Sequence, residues 1–172
     1  TLGLSGLYEA SKNRLDEALG DRLLGVASSL AGLIDADAVF NFTIGDSSGA
    51  VYLDLLDADF LQLSRQSDLA EITLCTPEGL ILASSFLRQK SGQTNGFWEL
   101  DRTAVEQALG GEPAVTSLYR LQSTFQKSAH MPLIKEDPLV GGSWVVGILT
   151  VSGNPDFFDS LNQLRRGALW TG

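Results

Sequence analysis

Cysteine and histidine each occur once in the 172 residues, as Cys75 and His130. A lone cysteine excludes an internal disulfide, and a lone histidine excludes two-histidine metal sites such as HExxH. Basic residues are scarce as well: 12 Lys and Arg stand against 21 Asp and Glu, a formal net charge of -9. That sign repels phosphodiester backbones and anionic bilayers at long range, so no nucleic-acid partner is expected. No apolar run reaches the ~18 residues of a membrane span, and the first residues lack the basic, hydrophobic and cleavage regions of a secretion signal. The patterns GxxxxGK[ST] and GxGxxG are missing, which leaves phosphate-loop and dinucleotide sites without support. No cofactor and no metal are indicated, and no nucleophile and base pair presents itself, so the segment reads as a non-enzyme.

What is present is globular composition, 44% hydrophobic and 19% charged. A single domain of this size buries roughly 70% of the surface its unfolded chain exposes, enough for a core without staples. From Leu4 to Leu33 the residues Leu4, Tyr8, Leu15, Leu19, Leu23, Val26, Leu30 and Leu33 recur at three- and four-residue steps. At about 100° per residue they fall on one stripe, predicting a long helix over residues 1–36. Its length, on the order of 45 Å at about 1.5 Å per residue, exceeds what one small sheet covers. A pair of ordinary helices broken at Gly20 or Gly25 is the alternative.

After a turn cluster at Ile44–Gly49, the run Val51–Leu63 reads as a second helix, and its acids Asp54, Asp57 and Asp59 as a solvated face. The period then changes to two. Ile72 and Leu74, Thr76-Pro77-Glu78-Gly79, then Leu80 and Leu82 predict a hairpin. Asp101 is placed to cap a short helix expected to bury Ala104, Val105, Ala108 and Leu109 and to end at Gly110-Gly111. Strand-like runs follow at Ala114–Tyr119, Thr124–Ile134 and Trp144–Val151, before a closing helix expected over 154–169. The order predicts one α+β domain, 1–172, with the long helix packed on a five-stranded antiparallel sheet core at 70–152. Both ends fall inside helical patterns, which reads as a segment of a longer protein.

Four stretches carry a resemblance to a known family: the leading helix around Leu15-Asp16-Glu17-Ala18-Leu19-Gly20-Asp21-Arg22-Leu23; the hairpin Ile72–Ser85; Val105-Glu106-Gln107-Ala108-Leu109-Gly110-Gly111; and Ser128-Ala129-His130-Met131-Pro132-Leu133 leading into Val145–Val151. In this order they resemble the Cache, or PAS-like, extracytoplasmic sensor domains of bacterial histidine kinases, chemoreceptors and cyclic-dinucleotide enzymes. The resemblance implies the periplasmic part of an inner-membrane receptor, most simply a sensor histidine kinase, joined to flanking membrane spans at both ends. It also implies a parallel homodimer through the first helix and a small polar ligand such as an organic acid or amino acid. The chain departs from the pattern in having His130 where an aromatic residue usually stands two before the proline, and in the insertion-like Asp137-Pro138-Leu139-Val140-Gly141-Gly142.

Alternation along Thr124–Leu133 puts Gln126, Ser128 and His130 on one face and Phe125, Lys127, Ala129 and Met131 on the other. In the resembled family the first of these faces looks into the ligand pocket, so Ser128 and His130 are candidate ligand residues. Trp98 and Tyr119 are candidates to close the pocket, and Arg120 to hold a carboxylate. The alternatives are an edge strand with its polar face in water, aromatics that belong to the core and a surface arginine. A ligand-free dimerisation or spacer module is the rival to the sensing function. Cys75, between apolar neighbours, reads as a small hydrophobe.

Overall fold

The residues Leu2–Ala31 form one continuous helix, α1, in the computed structural model, which describes residues 2–43, 49–67, 69–86, 92–121, 124–137, 139 and 141–153. Neither glycine breaks it, and the two have different uses. A Cβ on Gly20 would lie 3.0 Å from Cε of Lys127 and 3.2 Å from Cγ1 of Val115, so the bare backbone lets the helix close on the sheet. A Cβ on Gly25 would meet nothing within 4 Å. Gly25→Ala is therefore expected to raise stability by about 0.5–1 kcal/mol through backbone entropy. Gly20→Ala forfeits that gain by crowding Lys127, and urea unfolding of the two variants measures the difference.

The helix stops at Ala31, short of the expected residue 36, because a second one starts there. Asp35 Oδ1 accepts the N–H groups of Asp37 (2.9 Å) and Ala38 (3.1 Å). That side-chain cap begins α2, Ala36–Thr43, which is bent by 76° from α1 and buries Val39. Then come α3 (Ala50–Gln66), β1 (Leu69–Cys75), β2 (Ile81–Ser84), a 3-10 turn at Gly96–Glu99, α4 (Arg102–Leu109), β3 (Ala114–Val115), β4 (Tyr119–Leu121), β5 (Thr124–Gln126), β6 (Ser128–Asp137) and β7 (Gly142–Gly153). The closing helix expected over 154–169, and residues 44–48 of the turn cluster, lie outside the described residues.

The main sheet has five strands in the order β2-β1-β7-β6-β3, every neighbouring pair antiparallel. The hairpin β1–β2 turns at Gly79, whose φ of +86° suits glycine. The runs expected at Ala114–Tyr119 and Thr124–Ile134 each divide in two, and β4 and β5 pair as a separate hairpin. Thr116 marks the division: its N–H donates to Ser128 O and its Oγ1 accepts the Ser128 N–H, both at 2.9 Å, closing the β3–β6 ladder with a side chain. The insertion-like segment begins and ends inside the ladder: Asp137 of β6 pairs with Gly142 of β7, and the Gly141 N–H donates to Asp137 O at 2.9 Å.

One face of the sheet is apolar. Ile72, Leu74, Ala129, Met131, Leu149 and Val151 bury against Leu19, Leu23 and Ala27 of α1 and Leu53, Leu56 and Phe60 of α3. Removing this area from water, at about 25 cal/mol per Å², is the main source of cohesion. The acids of α3 are not uniformly solvated. Asp54 and Asp59 are exposed, but Asp57 turns inward and its Oδ1 accepts the Ser84 N–H of the edge strand β2 at 2.6 Å. Burial raises the Asp57 carboxyl above its ordinary value, against that hydrogen bond.

Candidate functional site

Strand register sets polar residues in two adjacent rows on the other face. Glu71 of β1 stands opposite Ser152 of β7, and Ser152 opposite Ser128 of β6. The next row is Thr73, Thr150 and His130. The row between them, Ile72, Val151 and Ala129, points the other way, into the helices. Because β6 lies between β7 and β3, this is an interior strand and the edge-strand reading does not hold.

The rows are tied across the strands. Ser128 Oγ lies 3.0 Å from Ser152 Oγ, and His130 Nδ1 lies 2.9 Å from Thr150 Oγ1. The second ring nitrogen, Nε2, lies 3.0 Å from Asp101 Oδ2. Asp101 does stand at the N-cap of α4, as its position suggested, but its side chain makes no cap bond and turns to the imidazole instead. His130 is fully buried and Asp101 only 4% exposed. Held from both sides, the imidazole is a rigid wall of the site.

Over these rows lie the 3-10 turn, which brings Trp98, and the β4–β5 hairpin, which brings Tyr119 and its register partner Gln126. Asn95 starts the turn: its side chain accepts the Phe97 N–H at 3.0 Å and its Nδ2 donates to Cys75 Sγ at 3.6 Å. Trp98 packs so closely on the hairpin that a Cβ on Gly79 would sit 3.1 Å from its Cε3. Tyr119 Oη is 3.5 Å from Ser128 Oγ.

The result is a cavity lined by Ser128, His130, Trp98, Tyr119 and Gln126 together with Asp101, Glu71, Asn95, Thr150 and Ser152. Its volume is about 10 Å³, the space of one water molecule. Among the described residues, two buried side-chain polar atoms lack a hydrogen-bond partner, Trp98 Nε1 and Asp101 Oδ1, and both residues line this cavity. An open cleft of about 460 Å³ adjoins it and shares Asp101 and Tyr119 as its walls. Four of the five residues singled out from the sequence thus converge. Arg120 does not: it follows Tyr119 directly in β4, so its side chain takes the opposite face, and it is exposed. Asp101, Glu71, Thr150 and Ser152 were not foreseen. The alternation Leu149, Thr150, Val151, Ser152 in β7 was the signal available for two of them.

Burial pushes the Tyr119 phenol up to about 12, with the Asp101 carboxylate adding to the rise and the Ser128 hydrogen bond opposing it. Burial likewise pushes the Cys75 thiol up to about 12, against the Asn95 contact. Both neutral forms are favoured in the fold, so the stability they contribute is present below their ordinary values and is lost as pH rises through about 12. A native protein that resists thiol reagents at pH 8 and ionises one tyrosine later than the others in an ultraviolet titration is the expected result.

No family model matches the chain, and no curated protein does. Solved structures do share its architecture. The sensor domain of the V. cholerae histidine kinase DctB aligns with TM-score 0.58 at 14% identity, covering 89% of this chain and 57% of that one. The E. coli DcuS sensor domain aligns with TM-score 0.55 at 17% identity, covering 86% of this chain and 95% of that one. The ligand-binding domain of the Campylobacter jejuni chemoreceptor Tlp3, in complex with L-valine, aligns with TM-score 0.51 at 10% identity over 87% of this chain and 56% of that one. The chain therefore spans little more than half the length of the DctB and Tlp3 domains and nearly all of the DcuS domain. The fold is the α+β, PAS-like fold of extracytoplasmic sensor domains, as the resemblance in the sequence implied.

Proposed function

We propose that the chain is the extracytoplasmic signal-sensing domain of a membrane-bound receptor of the sensor histidine kinase type, and that it binds a small polar molecule on the polar face of β6. The observation that carries this reading is the pair of unpartnered buried atoms, Trp98 Nε1 and Asp101 Oδ1, on two residues that line a cavity walled by Ser128, His130 and Tyr119. Each such group costs about 1–3 kcal/mol if left unmatched, and a bound solute recovers it. The fold shared with the DctB and DcuS sensor domains and with the Tlp3 ligand-binding domain supports the class.

The residue just before β6 supports a route from such a ligand to the output. Lys127, between Gln126 and Ser128, turns to the opposite face, where its Nζ meets Asp16 Oδ1 of α1 at 2.7 Å and is only 5% exposed. A ligand that shifts the β5–β6 backbone drags this ion pair and hence α1, which in a parallel homodimer leads toward a membrane span. The domain makes no bond and breaks none. With room for a single water, the cavity admits an organic solute only when the turn bearing Trp98 or the hairpin bearing Tyr119 moves outward.

That tightness also favours a second reading, a ligand-free dimerisation or spacer module. Thermal melting of the protein against a panel of organic acids, amino acids and amines separates the two. A ligand at a hundred times its Kd is expected to add about 2.7 kcal/mol, and a panel without a single shift would leave the spacer.

A further inference from the structure

We propose that the solute taken by this site is a small polyhydroxylated molecule, a polyol or sugar, with one hydroxyl inserted between Trp98 and Asp101 and its body in the adjoining cleft. The inference rests on the sensing function proposed above and specifies its ligand. Trp98 and Asp101 stand three residues apart where the 3-10 turn runs into α4, a spacing that brings side chains together on one side of a helical turn. Their atoms Nε1 and Oδ1 are the two buried side-chain polar atoms without a partner among the described residues. The indole nitrogen only donates and the carboxylate oxygen only accepts. His130 meets the same carboxylate at Oδ2, which fixes the direction of Oδ1. A hydroxyl serves both atoms at once, accepting from Nε1 and donating to Oδ1. An ammonium only donates and leaves Nε1 unmatched, while a carboxylate or an ether only accepts and leaves Oδ1 unmatched.

The space at hand selects the same group. The cavity lined by both residues measures about 10 Å³, room for one oxygen atom and not for an ammonium and a carboxylate side by side. The body of the molecule has room in the open cleft of about 460 Å³ that shares Asp101 and Tyr119 with the cavity. Thr103, Gln107, Thr116, Ser117 and Tyr119 line this cleft with hydroxyl and carboxamide groups, which both donate and accept and so suit further hydroxyls. Leu100, 57% exposed along the same cleft, offers apolar surface to the carbon skeleton. Glu99 and Arg102, which also line it, carry opposite charges.

Calorimetric titration of the whole 172-residue chain tests the class directly. The polyhydroxylated probes are erythritol, xylitol and glucose; the contrasting probes are 1,4-diaminobutane, which only donates, succinate, which only accepts, and the zwitterion 2-aminobutyrate. At least one of the first three is expected to bind about tenfold more tightly than any of the second three, the value of one matched hydrogen bond. Trp98→Phe, which keeps a ring and removes the Nε1 donor, should weaken that polyol about tenfold. Thr103→Val and Ser117→Ala, on exposed residues of the cleft, should each weaken it about threefold, and they keep the test decisive if the Trp98 variant does not fold. Failure of all three polyhydroxylated probes to bind, a contrasting probe that binds as tightly as the best of them, or a polyol affinity unmoved by the variants that fold overturns the assignment. The melting panel then tells whether the sensing site survives without it: a shift from any other metabolite keeps the site, and no shift at all removes both.

Discussion

His130→Ala is expected to cost about 3–5 kcal/mol of folding stability, the penalty for removing one partner of a buried pair and stranding the other. The imidazole is fully buried and links Thr150 of β7 to Asp101 at the start of α4 across distances of 2.9 and 3.0 Å. Without it the buried Asp101 carboxylate loses the partner of its Oδ2, and the cover formed by α4 and the 3-10 turn loses this tie to the sheet. Urea unfolding gives the number. A double-mutant cycle with Asp101→Ala should return a coupling of about 0.5–3 kcal/mol, because the second deletion removes the charge that the first left stranded. A loss below about 1 kcal/mol for His130→Ala would mean that the pair does not hold the cover down.

The second large effect lies on the opposite face. Leu23→Ala should lower stability by about 2–5 kcal/mol, the usual range for a truncated core leucine. Leu23 is 1% exposed and sits between Leu19 and Ala27 on the stripe that docks α1 on Ala129 and Val151. Leu33 belongs to the same stripe in the sequence, yet it follows the end of α1 and is 82% exposed, so Leu33→Ala should stay within about 0.5 kcal/mol of the parent. Equal losses at the two positions would contradict the placement of the helix.

The contrast between these leucines shows what could be read from the chain. Periodicity exposed the stripe, since a 3.6-residue repeat is a local signal, but where the stripe ends depends on the Asp35 cap and on Val39 finding a place in the core. The hairpin at Gly79 was legible because proline and glycine act on their own residues. Parity along β6 separated Ser128 and His130 from Lys127 and Ala129 for the same reason. Asp101 was misread in role because its sequence context says helix cap while its partner His130 lies 29 residues away. Asp57 was placed in solvent with the other acids because the N–H it serves belongs to Ser84, 27 residues further on. The division of the Ala114–Tyr119 run depends on Thr116 bonding to Ser128 with both backbone and side chain. Long-range partners of polar side chains leave no trace in local pattern, and they make up most of this site.

The central claim is that a small solute is sensed in the cavity between the polar rows of the sheet and the turn bearing Trp98. The indole N–H resonance of Trp98, assigned by comparison with Trp98→Phe, reports on that space, because Nε1 is buried without a partner on a residue that lines it. A solute that raises the melting temperature should move this resonance in a saturable way, at the concentration that produces the thermal shift. A solute that stabilises the protein while the Trp98 resonance stays still, and signals from the α1–α3 cleft around Leu30, Tyr52 and Leu63 move instead, would contradict it.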